Sequence, residues 1–301
     1  MFIFSLSMLL AGCSDTAKET DSETQDTNNT TSGDRFAEFV YVTEAPVGEL
    51  TCFEGGFEAQ GEWVVQSPLA EKQQEVSFAG QVIDFETDDP VEEATVEIFT
   101  ANVVYGAPDL TVESDSSGSV SGNIPTCSPY SYRVSTDPVL EETKVTIESN
   151  QIDGFDTTAS PEFNSVSRAT YMVIPSLLGV SPDTDKGIVA GTAYDCTGDQ
   201  IAGAQIVIRD ADGNIPESLV MKYFVDDFPN RNQEWTSEDG LWVAINVPVG
   251  EWNVEMYVAD GSGGHLLMAT SVVNVQADSI NISSVYTSSG NGLWFPSSCL
   301  E

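Results

Sequence analysis

One pattern is written twice in this chain, and it restricts the fold more than any other feature. The clearer copy runs from Gly191 through Asp195-Cys196-Thr197-Gly198-Asp199 to Ile201-Ala202-Gly203-Ala204-Gln205-Ile206-Val207-Ile208. It resumes at Thr236 to Gly240 and at Val247-Pro248-Val249-Gly250-Glu251-Trp252-Asn253-Val254. The earlier copy runs Gly80 to Asp84, Pro90 to Ile98, Ser114 to Gly118, Ile124-Pro125 and Tyr132-Arg133-Val134. Ala204, Ile206 and Ile208 alternate with Gln205, Val207 and Arg209, the period of a strand buried on one face. Asp195 to Asp199 and Asp239-Gly240 accept positive φ or bond their own backbone, so each turns the chain. Short alternating runs between regularly spaced turns specify antiparallel β-sandwiches rather than βαβ units.

The order is a glycine, a valine-type strand, an aspartate turn, a proline or isoleucine and a glycine-alanine strand; aspartate-glycine, proline-x-glycine and an aromatic strand follow. This order resembles that of carboxypeptidase regulatory-like domains. The second copy matches almost throughout, including Gly203-Ala204 and Pro248-Val249-Gly250. The first copy departs at Glu93, which stands where the glycine before Ala94 belongs. It departs again at Thr126-Cys127-Ser128-Pro129, in place of the short proline-x-glycine turn. The resemblance implies small transthyretin-like (prealbumin-type) sandwiches that serve as accessory modules, usually without catalysis. The expected fold class is all-β, with two tandem Ig-like/transthyretin-like antiparallel β-sandwiches behind a disordered lipoprotein tether.

The first twelve residues are apolar and end Leu10-Ala11-Gly12-Cys13, which resembles the lipobox of a bacterial lipoprotein signal, although no Lys or Arg precedes the apolar run. Cys13 is the expected lipidated residue and membrane lipid its expected partner. Residues 14–34 hold no aromatic residue and no Val, Ile or Leu, so residues 13–36 are expected to form a disordered tether. Ser14 follows the lipidated position, and the usual inner-membrane retention aspartate appears one place late, at Asp15. Outer-membrane delivery is therefore the expected address. Residues 37–175 are expected to hold an N-terminal segment joined to the first sandwich, with strands at 39–42 and 62–65 and a closing strand at Tyr171 to Ile174 ended by Pro175. A linker at 176–186 leads to the second sandwich at 187–301, whose closing strands lie at 266–275 and 280–286 and whose last residues form a cysteine-bearing tail.

Acidic side chains number 48 against 10 basic ones, a formal charge of −38 spread along the chain. Nucleic acid is a poor partner for such a surface. A protein or glycan in the cell envelope is the expected partner of a non-catalytic binding or structural protein; the alternative is a carbohydrate-binding surface lipoprotein or an accessory subunit of an envelope enzyme or secretion system. Setting Cys13 aside leaves Cys52, Cys127, Cys196 and Cys299, an even number suited to two disulfides in an oxidising compartment. Four cysteines allow three connectivities. Cys52 with Cys127 and Cys196 with Cys299 are expected, because each pair lies within one proposed domain.

No nucleophile elbow, phosphate-binding glycine loop or dinucleotide fingerprint occurs, and His265, beside Gly263 and Gly264, is the single histidine. A two-histidine zinc site cannot be built, and no cofactor or enzyme activity is expected. Asp210-Ala211-Asp212-Gly213-Asn214 resembles a calcium loop only in part, since its glycine comes two places early and Met221 stands where a bidentate glutamate belongs. A turn accounts for the stretch. Asp210 to Arg231 interrupts the second repeat, with a strand expected at Val220 to Val225. Asp210, Asp212, Tyr223, Asp226, Asp227 and the nearby Trp235 are the candidate ligand-binding residues, combining carboxylates with aromatic faces as sugar or cation sites do.

Overall fold

The computed structural model describes residues 42–52, 67–137, 143–154, 158–287 and 293–300. The lipobox-like stretch with Cys13, the tether, the strand expected at 62–65 and nearly all of that expected at 39–42 lie outside the described residues. The first repeat forms β1 (Gln74–Asp84), β2 (Thr95–Phe99), β3 (Leu110–Glu113), β4 (Ser119–Thr126), β5 (Pro129–Ser135), β6 (Thr143–Ile152), β7 (Thr158–Ala159) and β8 (Glu162–Ser167). Helix α1 (Arg168–Leu178) leads into the second repeat, which begins with β9 (Lys186–Tyr194), β10 (Ala204–Arg209), β11 (Val220–Val225) and β12 (Phe228–Asn230). It continues with β13 (Leu241–Pro248), β14 (Gly250–Ala259), β15 (His265–Val275), β16 (Ser279–Ile282) and β17 (Val285–Tyr286), before a turn of helix, α2 (Ser297–Leu300).

The twofold pattern in the sequence is a twofold clasp in space. In the second repeat the Thr236 hydroxyl donates to Ile201 O and accepts from Ala204 N–H, while Thr236 N–H donates to Ala204 O and Gly203 N–H to Thr236 O. In the first repeat Ser114 repeats every bond: hydroxyl to Val91 O, Ala94 N–H to hydroxyl, Ser114 N–H to Ala94 O, and Glu93 N–H to Ser114 O. Gly118 and Gly240, both at positive φ, each accept a strand N–H on their carbonyls, from Val82 and Ala193. Glu93 and Gly203 occupy the same place, and both are left-handed, at φ 56° and 76°. Glycine enters that region freely, whereas a residue with a Cβ is strained there.

Each repeat buries its alternating face in a sandwich. In the first, β4, β1 and β8 lie over β3, β2, β5 and β6, enclosing Phe78, Ile98, Ile124, Tyr132 and Phe163. In the second, β10, β14 and β15 lie over β11, β13 and β9, enclosing Ile206, Trp242, Met256 and Met268. Pairing is antiparallel through most of both sandwiches, but after a turn at Asp278 (φ 50°) the chain leaves β15 for the opposite sheet. There β16 runs parallel to β9 of its own repeat and to β6 of the other. The two repeats thereby share one continuous sheet.

Three expectations fail here, two of them through contacts distant in sequence. The described residues of the N-terminal segment, 42–52, dock on the second repeat rather than the first: Val47 and Ala202 exchange backbone bonds, Glu49 N–H donates to the Asp195 carboxylate at 2.7 Å, and Val42 is buried beside Gln205. At the other end, the C-terminal tail docks on the first repeat, where Leu69 N–H donates to Cys299 O and Leu293 and Phe295 pack around Cys127. The disulfides accordingly are Cys52–Cys196 and Cys127–Cys299, not the pairs within each domain. Each chain end is stapled to the repeat farther from it in sequence.

The third failure is α1, which stands where a closing strand was expected. Ser167 caps it by accepting Thr170 N–H, Gly179 ends it at φ 72°, and Tyr171, Ile174, Pro175 and Leu178 repeat at helical spacing toward the sheet. Pro175 removes one helix bond. Its ring is buried against the sheet instead.

The insertion forms the strand expected at Val220–Val225, and β11 with β12 makes a hairpin that extends the edge of β13. Its outermost strand is three residues long and contains Pro229, a poor template for further pairing.

Candidate functional site

The residues proposed for ligand binding do not converge. Asp210 Oδ1 accepts the N–H groups of Asp212 and Asn214, closing a tight turn after β10. Asp226 and Asp227, both at positive φ, form the two-residue tip of the β11–β12 hairpin, the role that Asn-Gly usually fills. All of β11, roughly 20 Å of strand, separates the two turns along the chain. Pairing with β13 sends Tyr223 into the sandwich, 2% exposed, where its hydroxyl accepts Ile206 N–H at 2.9 Å. Trp235 is half-buried, and its indole N–H donates to Glu44 of the docked N-terminal segment at 2.7 Å. Turn chemistry and core packing thus account for these side chains one by one. His265 opens β15 beside Asp260; partial burial draws its pKa below the usual value, against the pull of that carboxylate. No group of three or more His, Cys, Asp or Glu side chains among the described residues is placed to hold a metal ion.

A different place in the fold has the geometry of a site. Helix α1 does not lie flat on the sheet it covers. Beneath it is a cavity of about 280 Å³, roofed by Tyr171, Ile174 and Pro175 and floored by Ile188, Ala190 and Val243 of β9 and β13. Its far wall comes from the first repeat, through Val166, Asn164 and Glu148, so the cavity exists only because the two repeats share a sheet. Phe85 lies at its edge, half exposed.

Among the described residues, Glu148 is the one carboxylate on this apolar lining. Its Oε2 accepts from the Tyr132 hydroxyl and from Asn164 Nδ2 at 3.0 Å. Tyr132 is held in turn by Asn164 N–H, which donates to the phenol oxygen at 3.0 Å. Burial pushes the Glu148 carboxyl above the usual range while those two donors pull it back, and burial pushes the Tyr132 phenol far up. Glu148 is half-buried and lines the cavity. Both hydrogen bonds end on Oε2, which leaves Oε1 without a hydrogen bond from the described residues. The other titratable groups on the lining are the phenols of Tyr171, pushed up to about 12 by burial and by Asp278, and of Tyr194. Tyr194 stacks on Tyr286 at 4.6 Å, and Trp294 continues the stack at 6.2 Å.

One carboxylate among aliphatic and aromatic walls can orient a ligand. Proton transfer needs a partner with a matched pKa, and the Tyr171 phenol, pushed up to about 12, does not supply one. Sequence reasoning missed the site because its walls come from residues more than a hundred positions apart. The signal that was legible is the helical spacing of Tyr171, Ile174 and Leu178 after a serine cap.

No family model matches the chain, and no curated protein matches it. Among solved structures it is similar to the TIE protein of Bacillus anthracis, with 12% identity over 70% of this chain and 34% of that one, at a TM-score of 0.22. It is also similar to the shaft pilin SpaA of Lactobacillus rhamnosus GG, with 8% identity over 70% of this chain and 98% of that one, at a TM-score of 0.23. For BcpA, the major pilin subunit of Bacillus cereus, the values are 9% identity, 71% and 99% coverage, and a TM-score of 0.22. Likeness at this level says nothing about function.

Proposed function

We propose that this chain is a non-catalytic, lipid-anchored binding or structural protein of a bacterial cell envelope, built from two modules that resemble carboxypeptidase regulatory-like domains. The reading rests chiefly on the crossed pair Cys52–Cys196 and Cys127–Cys299, each a long-range bridge of the kind kept in oxidising compartments. Leu10-Ala11-Gly12-Cys13 supplies the anchor, and outer-membrane delivery follows from Ser14 after it. Carbohydrate stacking on Trp235 is the weaker alternative, since that indole is committed to Glu44. Metabolic labelling with a radioactive fatty acid, followed by envelope fractionation, tests the anchor. Label on the wild type and none on Cys13→Ser, with the variant lost from the membrane fraction, is the expected result. Unlabelled wild type, or unchanged membrane association of Cys13→Ser, overturns it.

A further inference from the structure

We propose that the cavity beneath α1 is a binding site for a small apolar amine, whose ammonium group takes the free oxygen of Glu148 and whose hydrocarbon body fills the space between α1 and the sheet. This rests on the reading of the chain as a binding protein and names a ligand class for it. The volume sets the size: a cavity of about 150 Å³ lined by aliphatic side chains holds benzene, so about 280 Å³ holds a ring with a short arm. Ile174, Ile188, Val243 and Ile280 offer nothing but hydrocarbon to that body.

The sign of the ligand charge follows from Glu148. A buried carboxylate is costly unless it is paired and hydrogen-bonded. Here the hydrogen bonds are in place, since the Tyr132 hydroxyl and Asn164 amide both donate to Oε2 as they would to a carboxylate. The ion pair is not: among the described residues no Lys, Arg or His lies on the cavity lining. Lys144, four residues away on the same strand, is engaged by Asp278 at 2.8 Å and sits over the Tyr171 ring. A ligand ammonium completes the set that Tyr132 and Asn164 begin. The surrounding charge favours the same sign, because a protein of net charge −38 draws cations to its surface and repels anions.

The test uses the full-length oxidised chain and three probes of one shape: phenethylamine, 2-phenylethanol and ethylbenzene, titrated by calorimetry. Phenethylamine is expected to bind at a single site at least about tenfold more tightly than the alcohol, the difference a charge-assisted bond makes. Glu148→Gln keeps the shape and removes the charge, so it is expected to erase that preference while leaving the alcohol nearly unchanged. Ala190→Phe fills the cavity from β9 and is expected to abolish binding of the amine. Should Glu148→Gln fail to fold, the amine-to-alcohol ratio on the wild type and the effect of Ala190→Phe decide the matter. Equal binding of amine and hydrocarbon by the wild type, an amine preference that survives in folded Glu148→Gln, amine binding that survives in folded Ala190→Phe, or no amine binding up to about 10 mM overturns the proposal. None of these outcomes bears on fatty-acid labelling at Cys13, so the anchor and the site fail separately.

Discussion

The two repeats close on themselves with the same bonds, yet one has glycine and the other glutamate at the left-handed position of the clasp. The surroundings explain the difference. A Cβ on Gly203 would lie 3.1 Å from Pro46 Cα and 3.2 Å from Ala45 O, because the N-terminal segment crosses the second repeat at that point. No such segment is described against the first repeat, and Glu93 is exposed. Glycine at this place therefore serves two ends in the second repeat, positive φ and room for a docked chain, and only the first of these applies to Glu93. What distinguishes the repeats is which end of the chain each one receives.

If the ends are what differ, breaking the staples should have the largest effect. Cys52–Cys196 and Cys127–Cys299 close loops of 144 and 172 residues. Loop entropy alone assigns each about 5 kcal/mol of stability. Urea unfolding of Cys196→Ser and Cys127→Ser should show losses of that order, with the first variant freeing the N-terminal segment and the second the tail. The shared clasp should give equal, smaller losses. Thr236→Val and Ser114→Ala each leave a buried N–H and a carbonyl without their hydroxyl partner, at about 2 kcal/mol apiece. A large inequality between the two would break the equivalence of the repeats.

Exchange at the left-handed position sharpens the contrast further. Glu93→Gly relieves strain and should raise stability by about 1 kcal/mol in the same urea assay. Gly203→Ala should cost more than that, since the strain is joined by the encounter with Ala45 and Pro46.

The smallest expected effect is the pH dependence that Asp195 gives the second repeat. Asp195 is nearly inaccessible; burial pushes its pKa up, but bonds from Glu49 N–H, Thr197 and Asp199 N–H bring it below the usual value overall. A carboxylate depressed in the folded state adds stability above its unfolded pKa, about 3.9, and loses it as pH falls through the lower folded value. The gap in melting temperature between wild type and Asp195→Asn should accordingly shrink below about pH 4.

Turns and strands were legible in the sequence because their causes are local. Asp195, Gly240 and the alternation of Ala204, Ile206 and Ile208 state the second sandwich within a few residues each, and Val220 to Val225 forms the strand its composition implies. The helix at Arg168–Leu178 was obscured by Pro175, which reads as a stop. Cys52, Cys127, Cys196 and Cys299 gave the number of bridges but not their pairing, which depends on where each chain end docks. The cavity was least legible of all. Glu148 looks like any outward strand residue until β6 meets β16 and α1 folds over it.

The crossed ends are the feature on which the rest depends, and a non-reducing peptide map of the natively produced protein tests them most directly. Linked peptides containing Cys52 with Cys196 and Cys127 with Cys299 are the expected result. Peptides linking Cys52 to Cys127 and Cys196 to Cys299, or free thiols at all four positions, would contradict it.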